Sequence, residues 1–169
     1  GTNPILMNLA VGGQLSRCWN AVKEGGVLIA ASICDGWFND SWFPSYEETY
    51  ESLINYNNAT EFLASEDAHR ISRNVDYLFK YSNQYTYRPF HAMSMTSGGA
   101  VPAQRCSEMI MVGAEAPQYA KGMGWTTVAT FDDAMKHAAR YVGKNPKVLC
   151  TPEAFSGGVG VHLHAKNGG

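Results

Sequence analysis

The stretch GGVLIAASICDGWFNDSWF, residues 25–43, decides how the chain is read. Its first half, residues 27–34, is a short, continuous apolar run rich in β-branched side chains. Such a run reads as a strand buried on both faces. Gly25-Gly26 precedes it and Asp35-Gly36, a turn signal, closes it. A strand covered on both sides belongs to a sheet lying between helices. The second half places four large aromatics, Trp37, Phe38, Trp42 and Phe43, in the loop beyond that turn.

Upstream, GGQLSRCWNAVKEGG spaces Leu15, Cys18, Trp19 and Val22 as one helical face, with Gly25 as the stop. Downstream, SYEETYESLINYNN pairs Ser45 with Glu48 as a capping box. SEDAHRISRNVDYLFKYSNQY predicts a helix capped by Ser65, with Ala68, Ile71, Val75, Leu78 and Phe79 as its apolar stripe. Pro89 opens a further helix through Met95, which Gly98-Gly99 should stop.

The second half of the chain alternates. EMIMVGA reads as a buried strand, residues 117–121 as a short helix, and TTVAT as a strand. TFDDAMKHAARYVG is the clearest helix. Thr130 caps it, Asp132 and Asp133 suit its positive end, and Phe131, Ala134, Met135, Ala138 and Val142 should face inward. KVLCTP and GVGVHLHA read as two last strands. The alternation predicts one α/β domain over residues 1–169, a central mixed, largely parallel sheet with helices on both faces. Ligands of such sheets sit beyond the carboxyl ends of the strands. The aromatic loop of residues 35–43 belongs there, as does the segment after Gly113.

Composition narrows the partners. A net charge of −2 with only 17% charged residues offers no basic field for nucleic acid or a membrane surface. No apolar run approaches the roughly 18–20 residues of a membrane span. Cys18, Cys34, Cys106 and Cys150 show no metal-ligand spacing, and Cys34 and Cys150 end apolar runs as buried thiols would. These features suggest a reducing, cytoplasmic home. The abrupt start at Gly1-Thr2-Asn3-Pro4 suggests an excised domain.

No complete catalytic set emerges. His162-Leu163-His164 puts two imidazoles on one strand face without a third ligand, so no metal site is assigned. His137 and His69 fall on polar helix faces. His91 is the more informative histidine. It follows the aromatic cluster YTYRPF, so Arg88 and His91 together can bind a carboxylate, or His91 can shuttle a proton. The glycine pieces AVGGQ, TSGGA and FSGGVG match neither a dinucleotide nor a phosphate-loop fingerprint. Asp35 and Trp37 join Arg88, Phe90 and His91 as candidate cleft residues.

The order AVKEGGVLIAASICDG, then SEMIMVGAEAPQYAKGMGWTTVATFDDAMKHAARYVGKNPKVLCTPEAF, resembles the C-terminal domain of the lactate racemase family. That family comprises nickel-pincer-dependent 2-hydroxyacid racemases and epimerases. The resemblance runs from about Val22 to Phe155. It implies a second, N-terminal domain, absent from this chain, that holds the nickel-pincer nucleotide and the acid/base histidines. Hydride then leaves C2 of a small 2-hydroxyacid and returns to either face of the keto acid. The C-terminal domain closes the cleft and excludes water. This chain alone is therefore expected to be inactive and to bind no cofactor. The family's racemase has a Gln-x-x-Lys pair before the Gly-Gly strand; the matching positions here are Ala10 and Gly13, with Gln14 one place on. That departure points away from lactate, toward another hydroxyacid or toward a non-catalytic domain binding a small carboxylate or a partner. On the same register Phe90 matches a cleft aromatic, with His91 beside it.

Overall fold

The computed structural model describes residues 3–84 and 86–151. Three strands form its sheet: β1 (Val27–Ala31), β2 (Glu108–Val112) and β3 (Thr126–Val128), in the order β1-β2-β3. Both pairings are parallel. Val27 lies opposite Glu108 and Ala31 opposite Val112, while Ile110 lies opposite Thr126. The α/β class holds, and both pairings among the described residues are parallel.

Among the described residues eight α-helices surround it: α1 (Pro4–Gly12), α2 (Ser45–Leu53), α3 (Ala59–Leu63), α4 (Glu66–Ser72), α5 (Val75–Lys80), α6 (Pro89–Arg105), α7 (Pro117–Gly122) and α8 (Phe131–Val142). Alternation along β2 sorts the two faces. Met109 and Met111 point into the larger core with Ile5, Met7, Tyr46, Phe62, Ile71 and Trp125. Ile110 and Val112 point the other way, onto Ala134 and Ala138 of α8. Helices on both faces are thus as expected.

Several elements differ from their sequence reading. The predicted helix over GGQLSRCWNAVKEGG is two short 3-10 turns, Gly13–Ser16 and Trp19–Ala21. Cys18 leaves the helical region between them, and Trp19 lies half-exposed under the Arg105 guanidinium, 4.9 Å from its ring. The helix lies upstream instead. Asn3 caps α1 by accepting the Leu6 N–H at 2.9 Å, and Pro4 occupies its first turn.

Gly98-Gly99 does not stop α6, which continues to Arg105 with Pro102 inside it. The glycines serve as a seat for α1. Asn8 Nδ2 donates to the Gly99 carbonyl at 3.1 Å, and a Cβ on Gly99 would press against that nitrogen. Close helix packing outweighs the roughly 1 kcal/mol that each helical glycine costs.

The single helix read after Ser65 is two. Ser65 caps α4 as predicted, but Asn74 starts a new helix by accepting the Tyr77 N–H at 3.0 Å. Ala68 and Ile71 are buried, whereas Val75, Leu78 and Phe79 are exposed. Ser45 is the first residue of α2 rather than its cap, because Pro44 is already helical. Strand β1 ends at Ala31, short of Cys34.

Thr130 caps α8 as expected, through the Asp133 N–H at 3.1 Å. Only Ala134 and Ala138 are fully buried there; Phe131 and Met135 face outward. Small side chains four apart let α8 lie close on the sheet. KVLC forms no strand, and Val148, Leu149 and Cys150 are exposed, so Cys150 is not a buried thiol. The predicted GVGVHLHA strand, His162 and His164 lie outside the described residues.

Candidate functional site

The carboxyl ends of the parallel strands are where the candidate site is built. Pairing persists beyond the strands: Ser32 N–H donates to the Val112 carbonyl at 3.1 Å and Gly113 N–H to that of Val128 at 3.1 Å. Glu115 and Ala116 N–H groups then donate to the Ile33 and Cys34 carbonyls. These bonds stitch the loop after β1 to the loop after β2. The expected placement of both segments at this edge is correct.

Cys34 carries this junction in a strained, left-handed conformation, φ +33°. Its thiol is buried, and burial raises its pKa, with the Asp35 charge adding to the effect. Burial therefore favours the protonated thiol, the less nucleophilic form. Asp35 turns the chain, its Oδ1 accepting the Trp37 N–H at 3.2 Å. Gly36, at φ +75°, lies against Tyr119, where any Cβ would strike the ring.

The aromatic loop divides. Phe38 turns inward between Tyr50 and Tyr119, with ring centroids 5.9 and 6.1 Å away. Burial pushes the Tyr50 phenol up to about 12. Phe43 also turns in and stacks flat on Tyr87 at 4.7 Å. Trp37 and Trp42 remain 51% and 54% exposed. Half of the loop seals this chain's own core, and the other half presents two indoles outward.

His91 joins the inward half. Its Nδ1 lies 2.6 Å from the Tyr46 hydroxyl. Its ring packs on Tyr87 at 4.2 Å and on Phe43 at 6.4 Å. Burial lowers the imidazole's pKa from its ordinary value. Tyr46, fully buried, has its phenol pushed up by burial and then by the neighbouring Tyr87. Tyr46 and Tyr87 were not anticipated as partners of His91. The inward spacing of Tyr46, Tyr50 and Leu53 on α2 is the signal that marks Tyr46 as buried.

The other candidates scatter. Arg88 is exposed at the cap of α6, three residues before His91, and makes no ion pair among the described residues. Phe90, 69% exposed, lines a groove of about 470 Å³ between α4 and α6. His69, Arg73 and Ser94 also line that groove. Gln14 is exposed and bonds back to the Ala10 carbonyl at 3.3 Å. Gly13 is buried; a Cβ there would lie 2.8 Å from Leu9 Cδ1 and 3.4 Å from the Gly98 carbonyl. His137 is not a solvated surface histidine. It stands 3.9 Å from Glu108, whose carboxylate accepts from Thr126 and Tyr141 at 2.6 Å each. That group lies at the amino end of β2, away from the loops described above.

Among the described residues, no group of three His, Cys, Asp or Glu side chains is placed to hold a metal ion. No helix among them is long and apolar enough to cross a membrane. Protein-family models, curated proteins and solved structures yield no match to this chain.

Proposed function

We propose that this chain is the C-terminal, cleft-closing domain of a lactate-racemase-like enzyme that racemises or epimerises a 2-hydroxyacid. The observation that carries this reading is the placement of the residues bearing the resemblance. Gly25-Gly26, β1 and Asp35-Gly36 run in order into a loop that presents Trp37 and Trp42 at the carboxyl edge of the sheet. Exposed indoles at such an edge suit a surface that another domain covers. In that role the loop excludes water from the reacting acid.

The described residues do not fit a nickel site. By the resemblance alone, the nickel-pincer nucleotide belongs to an N-terminal domain. A reducing, cytoplasmic setting belongs to the same proposal, and all four cysteines are free thiols. Gly13, packed near Gly98, favours a second reading, a non-catalytic domain that binds a small carboxylate or a partner.

The test is made on the full-length gene product. Nickel is measured by mass spectrometry, and a panel of 2-hydroxyacids is followed by chiral chromatography. Bound nickel and interconversion of enantiomers are expected. A product with neither, or this chain racemising acids unaided, overturns the reading.

A further inference from the structure

The groove between α4 and α6, about 470 Å³, has the size of a small-molecule site. Two helical stripes line it. On α6, Phe90, Met93 and Ser94 stand at i, i+3 and i+4 and share one face. On α4, His69 and Arg73 are four apart. The Arg73 N–H still bonds to the His69 carbonyl at 3.2 Å, which carries that face one residue past the end of the helix. Buried Ala68 and Met93 form an apolar floor, and the exposed Phe90 ring gives the groove an apolar wall.

The charge along the groove has one sign. Arg73 lines it, and among the described residues no Asp or Glu does. The carboxylates near α4 are engaged elsewhere. Glu48 and Asp67 lie 3.0 and 3.6 Å from Arg70, and Asp67 also accepts from Tyr56 at 2.9 Å. Arg70 is thereby neutralised, whereas Arg73 makes no ion pair among the described residues. The hydroxyls of Ser72 and Ser97 donate to the His69 and Ser94 carbonyls at 3.1 and 2.7 Å. The His69 ring and the Ser94 hydroxyl themselves make no hydrogen bond among the described residues.

We propose that this groove binds a small aryl carboxylate. Arg73 pairs with the carboxylate, because a planar guanidinium matches its two oxygens and keeps its charge at all relevant pH. His69 and Ser94 donate further hydrogen bonds to the same group. The aromatic body lies on Phe90 and beside the Met93 thioether, since aromatic rings and methionine sulfur both favour a flat ring as neighbour. The site stands apart from the racemase reading, which bound nickel and racemisation test separately.

The experiment uses the chain labelled with 15N and with 13C at its methionine methyls. Phenylacetate, its uncharged isostere phenylacetamide, and acetate are titrated in turn at pH 7.5 and constant ionic strength. Saturable shifts at the Met93 methyl and Arg73 Nε are expected with phenylacetate. Phenylacetamide and acetate should each bind roughly tenfold more weakly or worse, the usual loss for a hydrogen bond to a charged group or for an aromatic contact. Arg73→Gln should weaken phenylacetate roughly tenfold and leave phenylacetamide unchanged, a split that a merely structural role would not produce. Phe90→Ser should weaken both aromatic ligands about threefold or more. Should either variant fail to fold, the comparison of acid with amide on the unaltered chain still decides. Met93 and Arg73 resonances unmoved by phenylacetate, an amide or acetate that binds as tightly, or an Arg73→Gln chain with undiminished affinity overturns the proposal.

Discussion

Asn8 is a side chain on which three elements meet. Its Oδ1 accepts the buried Trp125 indole N–H at 2.7 Å, and its Nδ2 donates to Gly99 of α6. Asn8→Leu would leave the buried Trp125 N–H without an acceptor. A loss of about 1–3 kcal/mol is expected for the orphaned group, read by urea unfolding. Gly99→Ala tests the same junction from the other side. Alanine gains about 1 kcal/mol of helix propensity over glycine. Its Cβ, though, would press on Asn8 Nδ2, and overpacking costs about 1–3 kcal/mol. The variant should be destabilised, and a stabilised one would mean that α1 moves aside freely. His91 supplies a pH dependence. Its folded pKa is depressed, so the native state resists protonation. The stability this contributes is complete above the unfolded value of about 6.5 and is lost as pH falls through the lower folded value. Denaturant midpoints measured from pH 8 down to pH 5 should fall less in His91→Phe than in the unaltered chain.

Capping decides which helices are sharply bounded. Thr130→Ala removes the acceptor of the Asp133 N–H, and about 1 kcal/mol should go with it, measured by thermal or urea unfolding. Elements whose signals are local were legible in the sequence. β2 is a short apolar run, and α8 has a threonine cap and an acidic first turn. α6 was misread because the meaning of Gly98-Gly99 depends on α1, far away in sequence. The break at Asn74 was missed because an apolar stripe does not reveal where the chain stops burying it. The loop aromatics show the same limit: residue type places Phe38 and Trp37 alike, but only the surrounding rings of Tyr50 and Tyr119 draw Phe38 inward. His91 was singled out by its aromatic neighbours in sequence. Its decisive partner, Tyr46, comes from another helix.

The two outward indoles belong to the molecule as a whole, because the chain's own core does not bury them. Trp37→Ser should leave unfolding free energy within about 0.5 kcal/mol of the unaltered chain. In the full-length protein the same change should lower racemisation, if the cleft reading holds. A large loss of stability would instead make Trp37 part of the core. The parallel pairing of Val27 with Glu108 has a consequence of another kind. Between the two strands lie α2 to α6, so β1 leaves the ribosome well before its partner exists. Closing so long a stretch is entropically costly and slow relative to local helix formation. Assembly should run from the helices inward, with the sheet zipping shut last, and a nascent β1 needs shelter until then.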